Sequence, residues 1–412
     1  MTVGIDSLAI AVPQRYIELS ELARARGVDP AKFITGLGTR RMAVPDPGED
    51  TVALAATAVH RLLDQTGVDR SRIGLLIVGT ETGVDHSKPV ASHVQGLLGL
   101  PRSMRVFDTT HACYGGTAGL MTACEWIASG VAKGRVAVVV CSDIARYGVG
   151  TAGEPTQGAG AIAMLVTEAP RILAIDLGVS GSSSADVYDF WRPHGRREAV
   201  VDGHYSIECY LDALGESYRS WRAQARERGL ISPVATGLSS ESLARVIYHV
   251  PFPKMANKAH AHVMRLELDD AAGHADAALD PVVVAGRFEQ QVAGSLRVCA
   301  EIGNAYTGSL YFGLLGLLES EAGALANQRI GMFSYGSGCV SEFFSGVVQR
   351  YAARMVGDAG ASAILAQRTA ITIEEYEQVL ALAADAPLPI APSPGGYRLE
   401  AIRDHRRIYV AG

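Results

Sequence analysis

Apolar residues at helical spacing mark one of the clearest elements in the chain. They run from Val52 to Leu63, with Asp50 or Thr51 before them as a helix cap and Gly67 after them as a stop. Residues three and four apart lie on the same face of a helix. The pattern therefore predicts a capped helix with a buried side.

Short β-branched runs alternate with helical segments of this kind. Residues 73–78 and 136–141 are almost entirely apolar and are bounded by glycine and polar turns. Such runs are typical of strands that are buried on both faces. Because strands and helices alternate along the chain, we expect an α/β fold with a mostly parallel sheet and helices on its faces.

A weak internal repeat in this alternation of strands and helices indicates that the fold is duplicated. In the first half, a strand ends near Glu81 and the loop-to-helix segment HACYGGTAGLMTACEWI follows; in the second half, a strand ends near His249 and GNAYTGSLYFGLLGLLE follows. Cys113 and Asn304 then precede matching helices. In a duplicated fold, these four side chains would gather at the strand ends, where α/β proteins usually bind ligands.

The composition fits one continuous unit. The chain has 412 residues, of which 48% are hydrophobic and 19% charged, and no segment resembles an interdomain linker. We therefore predict two pseudo-duplicated halves, residues 1–165 and residues 166–412, the second with insertions. Residues 206–228 predict a helix, residues 386–396 a proline-rich surface loop, and RDHRRIYV a returning terminal strand.

Charge and cysteine usage narrow the possible partners and the compartment. The net charge is −6 without a block of lysine or arginine, which argues against a nucleic-acid partner. No apolar run is long enough to span a membrane, and the first residues lack a signal-peptide pattern. The six cysteines show no C-x-x-C spacing, so we expect neither a zinc site nor disulfides, and we predict a cytoplasmic protein.

Cys113 is a candidate nucleophile. It precedes a helix rich in small and apolar residues, which we expect to be buried on all sides. The free N–H groups and the positive dipole end of that helix would lower the thiol pKa. Most free cysteines, however, are small apolar packing residues. The residues alone leave both interpretations open, and the other five cysteines are assigned to packing.

Glu81 and His249 are candidates for proton transfer. Glu81 closes an apolar strand, where burial would raise the pKa of its carboxyl, although a solvated loop glutamate fits equally. His249 also ends an apolar strand, a position that structural histidines often occupy. Lys254 and Lys258 follow four residues apart; on a helix they would share one face that could hold a phosphate, or form an ordinary solvated face.

Two glycine motifs lead to opposite conclusions. The segment from Ser334 to Cys339 is a glycine loop between a strand and a predicted helix, and its exposed N–H groups could form an oxyanion hole. Gly158, Gly160 and Ala163 fit a dinucleotide-binding pattern. That pattern needs a strand before it and a helix after it, whereas AIAMLVTE after it predicts a strand, so nicotinamide binding is rejected.

Taken together, the motifs resemble those of 3-hydroxy-3-methylglutaryl-CoA synthases, especially the shorter bacterial enzymes of the mevalonate pathway. The likeness covers nearly the whole chain and rests on GTETGVD, ACYGGTAG, SDIARYG, GEPTQGAGAIAML, DVYDFWRP, VVDGHYSI, HVPFPKMANKAH, GNAYTGSLY and SYGSG. It implies a thiolase-like, five-layered αβαβα fold and a homodimer. Two features depart from the family: TTH precedes Ala112 where relatives often have a charged residue, and residues 268–298 carry no clear motif.

The resemblance also implies roles for individual residues. The catalytic residues would be Cys113, Glu81 and His249. Positions near the substrate carbonyls fall on Asn304 and Tyr147, and the oxyanion loop falls on Ser337. The positions that contact coenzyme A fall on Lys254, Lys258, Thr156 and Ser206.

The implied reaction condenses acetyl-CoA with acetoacetyl-CoA and water through an acetyl-cysteine, without a metal or redox cofactor. A polyketide β-branching synthase, which uses an acceptor bound to acyl carrier protein, is the main alternative. Ketoacyl-ACP synthase III usually lacks the glutamate corresponding to Glu81. A catalytically silent acyl-CoA binding protein is a further alternative, but all three catalytic positions are filled.

Overall fold

A computed structural model describes residues 2–196, 198–231, 242–272, 279–382 and 396–412. The predicted proline-rich loop at residues 386–396 lies outside these ranges except for Gly396. The strands are β1 (Val3–Ala11), β2 (Arg15–Glu18), β3 (Arg41–Val44), β4 (Ile73–Gly79), β5 (Arg105–Thr109), β6 (Val136–Ala145), β7 (Gly158–Glu168), β8 (Leu173–Ser184), β9 (Phe190–Trp191), β10 (Val200–Val201), β11 (Arg245–Tyr248), β12 (Arg329–Gly336), β13 (Val340–Val348), β14 (Thr369–Ala370), β15 (Tyr397–Arg403) and β16 (Arg406–Ala411).

The helices connect these strands. They are α1 (Leu19–Ala25), α2 (Pro30–Ile34), α3 (Thr51–Thr66), α4 (Val90–Leu97), α5 (Gly115–Ala128), α6 (Gly203–Glu227), α7 (Met255–Ala272), α8 (Pro281–Gln291), α9 (Cys299–Ile302), α10 (Ser309–Glu321), α11 (Ala352–Ala359), α12 (Ala361–Ala366) and α13 (Ile373–Ala381). Short 3₁₀ turns occur at Arg70–Arg72, Glu154–Thr156, Ala293–Leu296 and Tyr306–Gly308.

The local predictions from hydrophobic spacing are confirmed. Helix α3 begins after Asp50, whose side chain accepts a hydrogen bond from the N–H of Ala53 at 2.9 Å. It ends at Gly67, which has a left-handed φ of 60°. Strands β4 and β6 cover the two apolar runs, and α6 covers the helix predicted at residues 206–228 except for Arg228, which caps its C-terminal end. Side-chain spacing is a local property, so the sequence reports it directly.

The sheet is mixed rather than mostly parallel. Within the described part of the chain, nine strands form one sheet in the order β11-β12-β13-β8-β1-β7-β6-β4-β5. The pairs β4–β5, β4–β6 and β11–β12 are parallel, and the other neighbours are antiparallel. The chain returns from β6 to β7, and from β12 to β13, without a crossover α-helix, and such connections pair antiparallel strands.

The second of these returns corrects a further prediction. The glycine loop at residues 337–339 joins β12 to β13, so the helix expected after it is in fact a strand. Residues of β13 pair with β12 on one side and β8 on the other. Pairing with two neighbours places this segment inside the sheet, a tertiary contact that the glycine loop by itself does not reveal.

The sheet order displays the duplication directly. One half contains β1-β7-β6-β4-β5 and the other contains β8-β13-β12-β11, with the same succession of antiparallel and parallel pairs. The halves join where Gly4 and Ile5 of β1 pair with Ala174 and Leu173 of β8. The prediction of two pseudo-duplicated halves is therefore confirmed for the sheet.

Helices cover both faces of each half. Along β6, Val138 and Val140 pack in the cluster around α3, whereas Val139 and Cys141 pack in the cluster around α5. In the other half, α6 packs on β8 and β13, and α10 packs on β11 and β12. The layers therefore run α3, first sheet half, α5 with α10, second sheet half, α6, which is the expected αβαβα arrangement.

The middle layer is formed by both halves. The hydroxyls of Thr117 in α5 and Tyr311 in α10 lie 2.8 Å apart. The prediction that helix α5 is buried on all sides is wrong, because Thr122, Glu125 and Ala128 are exposed. Its first turn, however, is fully buried at Gly115 and neighbouring residues. The part of the helix nearest Cys113 is thus enclosed by protein.

The C-terminal hairpin returns to the first half. The predicted terminal strand RDHRRIYV is confirmed from Arg406 onward as β16, whereas Arg403 ends β15 and Asp404 and His405 form the turn between them. The N–H of Tyr397 in β15 donates to Thr57 in α3 at 2.9 Å, and the Tyr409 hydroxyl in β16 donates to Asp50 at 2.7 Å. The division at residues 165 and 166 stays a prediction; β7 itself continues to Glu168. Within the ranges described above, no helix combines the length and apolar content that a bilayer crossing requires.

We expect Gly116→Ala to destabilise the protein. A Cβ at Gly116 would lie 2.3 Å from the sulfur of Cys141 and 3.1 Å from the carbonyl oxygen of Thr307. Overpacking of this kind typically lowers the free energy of unfolding by about 1–3 kcal/mol. Urea unfolding followed by circular dichroism measures the change.

The matched control is Gly96→Ala in α4, where an added Cβ would meet nothing within 4 Å. Alanine is the better helix former, so this variant should be at least as stable as the wild type. Equal midpoints for the two variants would contradict the close approach of α5 to β6.

Candidate active site

Cys113 lies in a tight turn between β5 and α5. Ala112 before it has a left-handed φ of 39°, and the N–H of Tyr114 donates to the carbonyl oxygen of His111 at 2.9 Å. All six cysteines fall within the described residues, and Cys113 is the one that is not fully buried. The other five are buried free thiols, consistent with their assignment to packing. As a whole residue, Cys113 is therefore the most exposed of the six cysteines.

Glu81 lies directly beside this thiol. It follows β4, which ends at Gly79, and the Cys113 Sγ donates to Glu81 Oε1 at 3.4 Å. The N-terminal turn of α5 reaches β4 because glycines meet there: a Cβ at Gly79 would lie 2.4 Å from the backbone of Gly116. The structure therefore brings together the two residues that the sequence places on separate segments of the first half.

Burial and like charges raise the pKa of both groups. Burial, followed by the negative charge of Asp143, raises the pKa of Glu81 to about 8, while the positive charge of Arg192 acts in the opposite direction. Burial, followed by the charges of Glu81 and Asp143, raises the pKa of Cys113 well above its ordinary value. The expectation that the helix end lowers the thiol pKa is therefore wrong, because desolvation and nearby carboxylates dominate.

Asp143 holds the Glu81 loop in place, and the sequence analysis did not single it out. Its buried carboxylate accepts hydrogen bonds through Oδ1 from the Thr80 hydroxyl at 2.8 Å and from the Glu81 N–H at 3.0 Å. The Thr82 N–H and hydroxyl bind the same oxygen at 3.1 and 2.7 Å. The sequence does contain an indication of this role, because an aspartate inside the apolar run of β6 must find buried hydrogen-bond partners.

The other carboxylate oxygen of Asp143 binds the second half. Its Oδ2 accepts from the N–H and the hydroxyl of Thr307, at 3.1 and 2.5 Å. Nearby, the Asn304 Oδ1 accepts from the Tyr306 N–H at 2.8 Å and from the Ser309 hydroxyl at 3.0 Å. These bonds use the carbonyl oxygen of Asn304 and leave its amide N–H groups for another acceptor.

Tyr147 and Thr156 lie against the Asn304 loop. The Asn304 N–H donates to the Thr156 carbonyl oxygen at 3.3 Å, and the Tyr147 side chain interacts with Thr156 and Tyr306. The Tyr147 ring packs edge-on against Phe190, with 6.3 Å between centroids. The charges of Cys113 and Glu81 contribute to the raised pKa of Tyr147 after burial, which places Tyr147 near both.

The Ser337 loop closes over Cys113 from the second half. A Cβ at Gly336 would lie 2.5 Å from the His111 carbonyl oxygen, and the His111 ring interacts with the Ser337 backbone. Buried Asp189 anchors the loop, because its carboxylate accepts from the Gly338 N–H at 2.9 Å. The TTH segment therefore contacts the predicted oxyanion loop.

Ser206, predicted to contact coenzyme A, lies near this anchor. Its hydroxyl donates to Asp189 Oδ2 at 3.4 Å, and the Tyr335 hydroxyl donates to the same oxygen at 2.7 Å. Asp189 stands in the motif DVYDFWRP, which the sequence analysis quoted without giving this residue a role.

His249 follows β11 directly and is buried. Its N–H donates to the Phe333 carbonyl oxygen at 2.7 Å, and the Tyr210 hydroxyl donates to the His249 carbonyl oxygen at 2.8 Å. Burial lowers the pKa of the ring to about 3, so the imidazole is neutral at physiological pH. Because β11 and β12 are parallel, His249 lies at the same sheet end as the Ser337 loop.

The two lysines stand apart from this buried cluster. Lys254 immediately precedes α7 and Lys258 lies in its first turn, so the prediction that this stretch is helical is confirmed from Met255 onward. Both lysines are exposed. They could bind an anionic ligand that approaches the His249 end of β11 from solvent.

A cavity of about 620 Å³ opens beside Glu81. Its lining includes Thr80, Glu81, Thr110 and the half-buried Arg192. Glu81 therefore both lines this cavity and contacts the Cys113 thiol. Among the residues that the structure describes, no three His, Cys, Asp or Glu side chains are grouped so that they could hold a metal ion.

Family profiles match nearly the whole chain. The hydroxymethylglutaryl-coenzyme A synthase N-terminal profile matches residues 1–170, and the C-terminal profile matches residues 173–280 and 276–388. The hydroxymethylglutaryl-CoA synthase of Enterococcus faecalis is 38% identical over 389 residues, which cover 94% of each protein. The mitochondrial enzyme of Homo sapiens is 35% identical over 416 residues, which cover 92% of this chain and 81% of that protein.

Solved structures agree with the profiles. A structure of MvaS in complex with 3-hydroxy-3-methylglutaryl coenzyme A is 62% identical and superposes with a TM-score of 0.97, covering 100% of this chain and 99% of that one. The synthase of the curacin biosynthetic pathway is 31% identical with a TM-score of 0.89, and both chains are fully covered.

The fold and the cysteine–carboxylate pair define a thiolase-like enzyme that condenses acyl thioesters. The five-layered duplicated architecture and the likeness to these structures both support this class. Within it, the chain belongs to the hydroxymethylglutaryl-CoA synthase family, as the profiles and relatives show. The resemblance found in the sequence motifs is therefore confirmed.

We expect Glu81→Gln to stabilise the fold at neutral and alkaline pH. The Glu81 carboxyl has a pKa of about 8 in the folded protein against an ordinary 4.5. The folded state therefore holds this proton more tightly, and the wild type loses stability as pH rises from 4.5 to 8. The variant lacks this loss, and its free energy of unfolding at pH 8 should exceed that of the wild type by roughly 1–3 kcal/mol.

Thermal unfolding across this pH range measures the difference. Glu125→Gln, at an exposed position on α5, is the control and should follow the wild-type pH slope. A Glu81→Gln curve parallel to the wild type would show that the folded pKa of Glu81 is ordinary.

Proposed function

We propose that this chain condenses acetyl-CoA with acetoacetyl-CoA and water to give 3-hydroxy-3-methylglutaryl-CoA and CoA, through an acetyl group on Cys113. The observation that carries the proposal is the 3.4 Å contact between the Cys113 thiol and Glu81. A nucleophile and a proton acceptor thus stand together inside a fold whose 62% identical neighbour was solved with 3-hydroxy-3-methylglutaryl coenzyme A.

In the first step, the sulfur of Cys113 attacks the acetyl carbonyl carbon and CoA leaves as its thiol. The new thioester has no S–H, so Cys113 no longer donates to Glu81. The Glu81 carboxylate is then free to face the acetyl methyl group. Its pKa of about 8 matches a base that works near neutral pH, and the positive charge of Arg192 favours the ionised form.

In the second step, Glu81 takes a methyl proton and an enolate forms. Backbone N–H groups near Cys113 and Ser337 stabilise its charge. The enolate attacks the 3-keto carbon of acetoacetyl-CoA, which the amide of Asn304 and the neutral ring of His249 orient. Protonated Glu81 returns its proton to the new alkoxide. Water then cleaves the thioester, releasing the product carboxylate and restoring the Cys113 thiol, so no redox cofactor is consumed.

The coenzyme A contacts are proposed on exposed and loop residues. Lys254 and Lys258 at the start of α7 carry the positive charge that phosphates require. Thr156 contacts the Asn304 loop, and Ser206 contacts Asp189, the residue that holds the Ser337 loop. Free coenzyme A thioesters are preferred over an acceptor on acyl carrier protein, because the MvaS neighbour is 62% identical and the curacin synthase 31%.

We further propose a cytoplasmic homodimer. Strand β5 stands at the edge of the sheet, and its Phe107 is 36% exposed. An uncovered edge strand is a ready surface for pairing with a second copy. The five buried free thiols suit a reducing compartment.

Labelled acetyl-CoA tests the chemical assignments. Wild-type protein should retain label, and Cys113→Ser should retain none, because the acyl acceptor is removed. Glu81→Ala should still become labelled, yet fall by at least about a thousandfold in condensation, since enolate formation loses its base. Label on Cys113→Ser would show that another residue is the nucleophile, and full turnover by Glu81→Ala would remove Glu81 from the mechanism.

The lysines are tested by comparing two kinds of acyl donor. Replacing both Lys254 and Lys258 with alanine should raise the KM for acetyl-CoA about tenfold at low salt, with kcat little changed. Acetyl-N-acetylcysteamine lacks the phosphates, so its KM should not change. Lys133→Asn, beyond the C-terminal end of α5, is the control for the loss of one exposed positive charge outside this lysine pair. Equal KM increases for both donors would contradict phosphate binding.

A further inference from the structure

Tyr306 occupies an unusual position next to the proposed substrate space. It begins the short turn before α10, is 1% exposed and has a left-handed φ of 43°. Bulky residues rarely adopt this backbone conformation, so the surrounding contacts must impose it. One is the hydrogen bond from its N–H to Asn304 Oδ1, and another is the ring of Phe190, edge-on at 5.8 Å.

The hydroxyl of Tyr306 is buried without a partner. No atom among the described residues meets its oxygen in hydrogen-bonding geometry. Buried hydroxyls nearly always have a partner, so an exception calls for a group that is present only at times. Tyr147 faces this hydroxyl, and the charges of Glu81 and Cys113 act on it. The Tyr306 turn is tied to the Glu81 loop through Asp143, which binds Thr307 by one oxygen and the Glu81 N–H by the other, so the unpartnered oxygen belongs to the same buried cluster as Glu81 and Cys113.

We propose that the Tyr306 hydroxyl donates a hydrogen bond to a carbonyl oxygen of the acetoacetyl thioester bound beside Asn304, Cys113 and Glu81, which makes Tyr306 a further catalytic residue. The inference rests on the proposed function, because it requires a thioester at that place. Burial raises the pKa of Tyr306 well above its ordinary value, so the hydroxyl stays protonated and remains a donor.

The same turn explains how the donor is aimed. The Tyr306 N–H and the Ser309 hydroxyl bind Asn304 Oδ1, and Thr307 binds Asp143, which also binds the Glu81 N–H. The ring is thus fixed relative to both Asn304 and Glu81. A fixed donor is more effective than a mobile one, because little reorganisation accompanies the reaction.

Tyr311 provides a matched comparison. It is equally buried, lies five residues further along, and its hydroxyl is paired with that of Thr117 at 2.8 Å. Removing the Tyr311 hydroxyl breaks a hydrogen bond within the protein. Removing the Tyr306 hydroxyl breaks no close hydrogen bond in the free protein, only a longer interaction with Tyr147, and removes a buried polar group that is poorly satisfied. The two Tyr→Phe variants should therefore have opposite effects on stability and activity.

The experiment measures Tyr306→Phe and Tyr311→Phe for thermal midpoint, kcat/KM in condensation and the rise in midpoint on adding acetoacetyl-CoA. We expect Tyr306→Phe to match or exceed the wild-type midpoint, to lose about tenfold or more in kcat/KM, and to gain less from acetoacetyl-CoA. Tyr311→Phe should have a lower midpoint and a kcat/KM within about twofold of the wild type.

Two results would overturn the proposal. One is a Tyr306→Phe variant whose kcat/KM equals that of an active wild type. The other is a midpoint loss in Tyr306→Phe as large as in Tyr311→Phe, which would reveal a partner inside the protein. If the wild type is inactive, the proposed function is wrong. The role of Tyr306 is then tested by binding alone, through the rise in thermal midpoint on adding acetoacetyl-CoA. An equal rise in the wild type and in Tyr306→Phe would overturn that role.

Discussion

The buried carboxylate of Asp143 is the constraint on which the site depends. It stands inside β6, yet it binds the Thr80–Thr82 loop through one oxygen and Thr307 of the other half through the second. Burying a charge requires that most of its lone pairs be occupied, so both loops must take one arrangement together. The positions of Glu81 and of the Asn304 turn are therefore set by a single side chain.

The same arrangement has an electrostatic consequence. Asp143 is close enough to Glu81 and Cys113 for its charge to raise the pKa of both, in addition to burial. At neutral pH the folded state thus holds on Glu81 a proton that the unfolded chain would release, which lowers stability. In return, Glu81 acquires a pKa near the working pH of a general base. The buried charge of Asp143 therefore favours the proposed reactivity of Glu81 and at the same time lowers the stability of the fold.

Duplication supplies the complementary parts. Both middle helices begin after a turn that contains a left-handed non-glycine residue, Ala112 before α5 and Tyr306 before α10. Each turn presents a polar side chain, Cys113 in one half and Asn304 in the other. The antiparallel return at the Ser337 loop adds backbone N–H groups above the cysteine. One half thus carries the proposed nucleophile and base, and the other carries the groups proposed to orient the substrate and cover the cysteine.

The sequence by itself determined the elements and the family. Local spacing defined α3, β4 and β6, and long ordered motifs singled out Cys113, Glu81 and His249 as candidate site residues, because both signals reside in neighbouring residues. Strand direction was decided only by tertiary structure, since alternation of helices and strands does not specify which strands pair. The thiol pKa was decided there too, because it follows from burial and from Asp143, thirty residues away in the chain. The unpartnered Tyr306 hydroxyl likewise follows from packing, which spacing along a chain cannot express.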